Sequence, residues 1–196
     1  MKTTINTDRK QYLITRLAII LVFSCFSVLL NAQSNKDSHS LGLSIPEIAL
    51  LDIEPSGGNS VTMAFPFNGI DAGQSIIQSV DNSDSWINIT SIVQATKTRK
   101  VTVEMNGDLP DGTFLKVSAK DYSGNGEGTH GQVISQIILS NEPQDLIANI
   151  GSCYTGNGIG NGYNLHYSWQ QNSIQYNQLK DQTSYVSVIY TLVQNE

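Results

Sequence analysis

From Leu41 almost to the C terminus, apolar residues recur at every second position. Leu41, Leu43, Ile45, Ala49, Leu51 and Ile53 share one phase, broken by Glu47, with Pro46 on the opposite phase. This predicts a long strand at a sheet edge or one bent near its middle, because proline has no N–H for a central ladder. Val61, Met63, Phe65 and Phe67 alternate with Ser60, Thr62, Ala64 and Pro66, the pattern of a strand with one wet face. Further runs follow: Ile87, Ile89 and Val93; Val101, Val103 and Met105; Leu115, Val117 and Ala119. Between the last two lie Asn106-Gly107 and Asp111-Gly112, dipeptides that accept positive φ in tight reversals, so Val101 to Ala119 is expected to be a hairpin.

A glycine-rich reversal from Ser123 to Gly131 precedes an apolar run from Val133 to Leu139. Tyr163, Leu165, Tyr167 and Trp169 then alternate with Asn164, His166, Ser168 and Gln170, and Val186, Val188, Tyr190 and Leu192 close the chain in phase. No dozen-residue segment of this region combines a 3.6-residue period with caps, although Ser173 to Leu179 fits a helical turn. Several short alternating strands separated by turns, with no helices between them, predict an all-β fold, an antiparallel sandwich.

The head of the chain is different. Arg9, Lys10 and Arg16 lead into an apolar run from Leu17 to Leu30, closed by Asn31-Ala32 before Gln33. A basic start, an apolar stretch too short for a membrane span and a small residue at the cut are the layout of a secretory signal peptide. The expected organisation is therefore a cleaved signal peptide over 1–32, a flexible mature terminus over 33–40 and one β-sandwich domain over 41–196. No later stretch is long and apolar enough to span a membrane, so the mature protein is expected in the periplasm, at the cell surface or outside the cell.

Removing Lys2, Arg9, Lys10 and Arg16 together with Asp8 takes the formal charge from −6 to −9. Acidity of this size repels phosphate backbones and anionic headgroups and argues against nucleic-acid or membrane-surface binding. Cys25 leaves with the leader, and its other reading, as a lipid acceptor after Val22-Phe23-Ser24, is disfavoured by the bulky Phe23 and the apolar run beyond it. Cys153 remains, so no intramolecular disulfide can form and a buried thiol is the expected state.

Chemistry-bearing motifs are sparse. His39, His130 and His166 show no metal-ligand spacing, and turn chemistry explains the pairs Asp81 with Asp84 and Asp108 with Asp111. The run Gly156 to Gly162 lacks the lysine and the helix of a phosphate cradle. Asp121, Ser123 and Asn125 match the opening half of a calcium loop, but the twelfth position is Gln132 instead of glutamate. Asn88-Ile89-Thr90 is a glycosylation triplet with Asn88 on the outward phase. The expectation is a protein that is not an enzyme and uses no cofactor or metal. Tyr163, Tyr167 and Trp169 lie on one strand face with Tyr154 upstream, an arrangement that serves either as a core or as a platform for stacking glycans.

An exported chain that starts with an alternating strand, Leu41 to Ile53, and ends with another, Tyr185 to Leu192, resembles the pilin and spore-coat-U type of secreted β-sandwich subunit. It departs from chaperone–usher pilins in lacking the cysteines for their internal disulfide. The resemblance implies an immunoglobulin-like subunit with a structural or adhesive role, fimbria-like, whose partners are copies of itself or other surface subunits. Its N-terminal strand would complete a neighbour's sheet, with Leu41, Leu43, Ile45, Leu51 and Ile53 as the inserting face, or else pair within its own domain, and the sequence leaves both open. A glycan-binding module built on Tyr154, Tyr163, Tyr167 and Trp169 is the alternative.

Overall fold

The alternating segments form two antiparallel sheets, both within Ile45–Glu196, the larger of the two units into which the chain divides; the smaller is Met1–Ser44. The computed structural model describes residues 5–26, 36–55, 60–66, 68–76 and 79–195. The smaller unit contains a helix, α1, Ile5–Phe26, whose Leu13, Leu17 and Leu21 are exposed. Among the described residues no helix is long and apolar enough to cross a membrane. The expected cleavage point before Gln33 and the side chain of Cys25 lie outside what is described, as does Phe67.

The strands are β1 (Ile48–Pro55), β2 (Ser79–Ile92), β3 (Arg99–Asn106), β4 (Thr113–Ala119), β5 (Gln132–Val133), β6 (Ile137–Ile138), β7 (Gln144–Ile150), β8 (Cys153–Tyr154), β9 (Tyr163–Gln171) and β10 (Ser187–Gln194). One sheet runs β1-β2-β9-β4-β6, with β8 also on β2, and the other runs β10-β3-β7-β5. Ile87, Ile89, Leu115, Val117, Tyr163 and Leu165 of the first sheet share one buried core with Val101, Val103, Leu146, Ile147 and Ile150 of the second. The period-2 phases therefore mark the inward faces of both sheets, as alternation on a pleated ribbon requires.

Four expectations are corrected. Residues 41–47 belong to no strand, so the long first strand begins at Ile48. Residues 60–66 are not a strand either; Met63 packs on the core and Phe65 lies over Trp169, ring centroids 4.2 Å apart. Val101 to Ala119 is not a hairpin. Its turn glycines take positive φ, at 110° for Gly107 and 72° for Gly112, but the reversal carries the chain from one sheet to the other. Val103 and Val117 then meet within the same core instead of lying side by side in one sheet. Likewise the run Val133 to Leu139 splits into β5 and β6, which lie in different sheets.

Strand β7 escaped the pattern because Leu146 and Ile147 are adjacent and both fully buried, which breaks the period. Its pairing with β3 shifts register beside Val101, and Asn149 takes φ 59°. A bulge lets neighbouring residues turn to the same side, so an irregular strand hides from a two-residue period. The helical turn is present as a 3₁₀ segment, Ser173–Gln178, with the Asn172 side chain accepting from the Ile174 N–H.

Candidate functional site

The expected inserting face divides in two. Leu51 and Ile53 lie on β1 opposite Ile89 and Ile87 of β2 and pack against the protein's own core. Donating them to a neighbour would dismantle this sheet, so they are removed from the inserting face. Leu41, Leu43 and Ile45 are 74%, 87% and 81% exposed. Between the two groups, Glu47 accepts from buried Arg99 Nη2 at 2.6 Å, fixing the point from which β1 starts. The guanidinium is desolvated and its carboxylate partner only partly so, which makes this ion pair stronger than a fully exposed one.

The four rings of the glycan reading share no open face. Tyr163 is fully buried and its hydroxyl donates to the His130 carbonyl. Tyr167 is buried with its hydroxyl 2.6 Å from that of Tyr190, bridging β9 and β10 across the core. Burial holds the phenols of Tyr163, Tyr167 and Tyr190 above the ordinary tyrosine range; for Tyr190 the neighbouring Tyr167 adds to the effect. Trp169 is half-buried beneath Phe65, and only Tyr154 stands out from the surface. The inward phase of β9 accounts for all three of its rings, so a stacking platform is not formed.

The two glycine-rich segments are stitched to each other and to Asn88. Gly158 N–H donates to Asn88 Oδ1 at 2.6 Å, and Asn88 Nδ2 donates to the Asn161 carbonyl at 2.7 Å. Asn88 is thus buried with both ends of its amide engaged, against the expectation that it faces outward, and the folded chain offers no acceptor for a glycan there. Tyr122 stacks on His130 with ring centroids 3.6 Å apart and its hydroxyl accepts from Gly126 N–H at 2.7 Å. The glycines are needed for close approach: a Cβ on Gly126 would lie 1.7 Å from the Tyr154 carbonyl oxygen, and one on Gly162 would lie 2.0 Å from that of Ile87.

The same stitching fixes the backbone of two of the three calcium candidates. Ser123 exchanges main-chain bonds with Gly162, and Asn125 N–H donates to Asn161 Oδ1 at 3.3 Å. Among the described residues no three His, Cys, Asp or Glu side chains are grouped to hold a metal ion. Cys153 is buried in the same region, and burial pushes its thiol up to about 11, which keeps it protonated and a poor nucleophile.

One constellation was invisible in the sequence. A bulge in β2 between Asn82 and Ser85 faces His166 of β9, placing Ser83 Oγ 2.8 Å from Nδ1 and Asp81 Oδ1 3.6 Å from Nε2. A hydroxyl, an imidazole and a carboxylate are in sequence, but on the outer face of a sheet, with Asp81 half exposed. Catalysis by such a relay needs a water-excluding cleft and donors aimed at an oxyanion. The N–H that follows Ser83, that of Asp84, is already engaged by Asn82 Oδ1 at 3.1 Å. A shallow depression of about 430 Å³ lined by Asn106, Asp108, Leu109, Ser140 and Asn141 lies elsewhere and brings together no acid–base pair.

Among the described residues of the larger unit and the segment before it, exposed apolar side chains include Leu41, Leu43 and Ile45, and elsewhere Tyr154, Ile174 and Tyr185. Comparisons with protein families, curated proteins and solved structures find no match for this chain.

Proposed function

We propose that this protein is an exported, non-enzymatic subunit with an immunoglobulin-like sandwich fold and a structural or adhesive role, assembling with copies of itself by strand addition. The single observation that supports this most is the segment Leu41-Gly42-Leu43-Ser44-Ile45: apolar at alternate positions, exposed, outside any strand, and joined to a domain through the Glu47–Arg99 ion pair. Alternating apolar residues on an isolated extended segment gain nothing in water, whereas a neighbour's sheet edge would satisfy the main chain and cover the side chains. Arg9, Lys10 and Arg16 within α1, followed by its apolar half, support a leader removed before Gln33, which leaves this segment near a free end.

Sedimentation and negative-stain microscopy of the full chain test the reading. Concentration-dependent oligomers or filaments are expected, and replacing Leu41, Leu43 and Ile45 together by serine should leave monomers with an unchanged unfolding transition. A wild-type chain that stays monomeric at all accessible concentrations defeats the proposal. Sequencing the N terminus of protein recovered outside the cytoplasm should give Gln33 as the first residue.

A further inference from the structure

Strand addition needs a receiving edge, and the hydrogen-bond phase of the two sheets identifies one; this step rests on the reading above. Four strand edges are open among the described residues: β1 and β6 in one sheet, β10 and β5 in the other. Strands β5 and β6 are two residues each, too short to hold a partner. Beside β1, the Ile89 N–H of β2 donates to Thr155 Oγ1 and its carbonyl accepts from Thr155 N–H, so the main-chain groups of Ile89 point away from β1. The opposing Leu51, and with it Ala49 and Ile53, therefore turn their main-chain groups outward. That edge is guarded: the Ile53 N–H is taken by Asp52 Oδ1 at 2.9 Å, Glu54 adds charge and Pro55 ends the strand.

Strand β10 has none of these guards. Asn195 N–H donates to the Thr98 carbonyl at 2.8 Å, so by alternation Val193, Thr191, Ile189 and Ser187 bond to β3. Val188, Tyr190 and Leu192 thus present their N–H and C=O groups to the open side. The strand carries no charge, proline or glycine over its eight residues. The side chains of the same three residues face the core but stay half-buried, as do Leu51 and Ile53 of β1, which lies alongside in the other sheet. The flank between β1 and β10 is an apolar seam that the chain does not fully cover.

We infer that the outer edge of β10 receives residues 41–45 of a second copy in antiparallel pairing, with Leu41 opposite Leu192, Leu43 opposite Tyr190 and Ile45 opposite Val188. Three outward main-chain positions spaced by two meet three apolar residues spaced by two. Directly opposed residues share a face, so this register sends all three donor side chains into the seam; a one-residue slip would send Gly42 and Ser44 there instead. Neither strand carries charge, which matters between copies of a chain with formal charge −6. Glu47, the next residue that would face β10, is held by Arg99 of its own chain, which ends the ladder at Ile45.

In this register Gly42 lies opposite Thr191 on the outer face as a non-hydrogen-bonded pair, the closest cross-strand position. The test uses full chains with Cys25→Ser, one carrying Gly42→Cys and the other Thr191→Cys, mixed under mild oxidation. The inference expects a mixed disulfide between the two chains, at least about tenfold more than between Gly42→Cys and Ile189→Cys, whose separation exceeds disulfide reach. It also expects Thr191→Lys and Leu43→Asp each to weaken self-association at least about tenfold, about 1.4 kcal/mol or more, with unfolding unchanged. Loss of assembly in Leu43→Asp but not in Thr191→Lys overturns the choice of β10 while leaving strand addition standing. Loss in Thr191→Lys but not in Leu43→Asp means β10 pairs with itself and overturns both. A monomeric wild type overturns both as well.

Discussion

Strands β1 and β10 are each eight residues long, border the same flank and end their sheets, yet their open edges are chemically opposite. On β1 a carboxylate caps an outward N–H, two acidic residues repel a second acidic chain and a proline closes the strand. On β10 every residue is neutral, and among the described residues nothing pairs with its three outward main-chain positions. An unguarded edge is an aggregation hazard that sequences usually suppress, and here one edge is suppressed while its neighbour is not. The difference teaches that edge protection can be selective, which is what the proposed strand addition requires. The same contrast divides the N-terminal apolar residues: those on β1 serve the chain's own core, and those before Glu47 do not.

The sharpest way to break that division is a pair of truncations measured by urea unfolding. Ile53→Ala should lower stability by about 2 kcal/mol, reflecting a half-buried side chain, whereas Leu43→Ala should change it by less than about 0.5 kcal/mol. Comparable losses would mean that residues 41–45 belong to the domain's own core. Tyr190→Phe should cost about 1–2 kcal/mol because it leaves the Tyr167 hydroxyl buried without its partner, and adding Tyr167→Phe should recover part of that loss. Both phenols titrate above their ordinary range in the folded chain. Stability from this pair is therefore fully present below pH about 10, the unfolded tyrosine value, and falls as the pH rises beyond it; the double phenylalanine variant should flatten that alkaline limb.

Smaller effects refine the contrast between the edges. Glu47→Gln should cost about 1 kcal/mol and reduce the salt dependence of unfolding, since Arg99 is buried but Glu47 keeps 35% of its side-chain surface in water. Smallest in stability is Asp52→Ala, about 0.5 kcal/mol, which uncaps the Ile53 N–H. Combined with Glu54→Ala it should raise self-association by sedimentation, because it makes β1 resemble β10. No change in association would show that charge and capping do not govern this edge.

Alternation by itself identified strands in much of the region beyond Ile45 and their buried faces: Ile87, Val101, Leu115, Leu165 and their neighbours all lie inward, because a pleated ribbon sends every second side chain to the same side. It failed where the backbone is irregular, at β7, and where apolar residues cover the core without pairing, at Met63 and Phe65. Local residues also selected the turns without revealing which sheet the chain would enter next, so the reversal after Met105 read as a hairpin although it crosses between layers. Only long-range pairing placed Ser83 beside His166, sealed Asn88 between glycine loops and put β10 at an edge. A residue's face follows from its neighbours one and two positions away. Its strand's partners depend on chain closure between residues far apart in sequence, 83 positions for Ser83 and His166, which is why the open edge could be read only from the folded molecule.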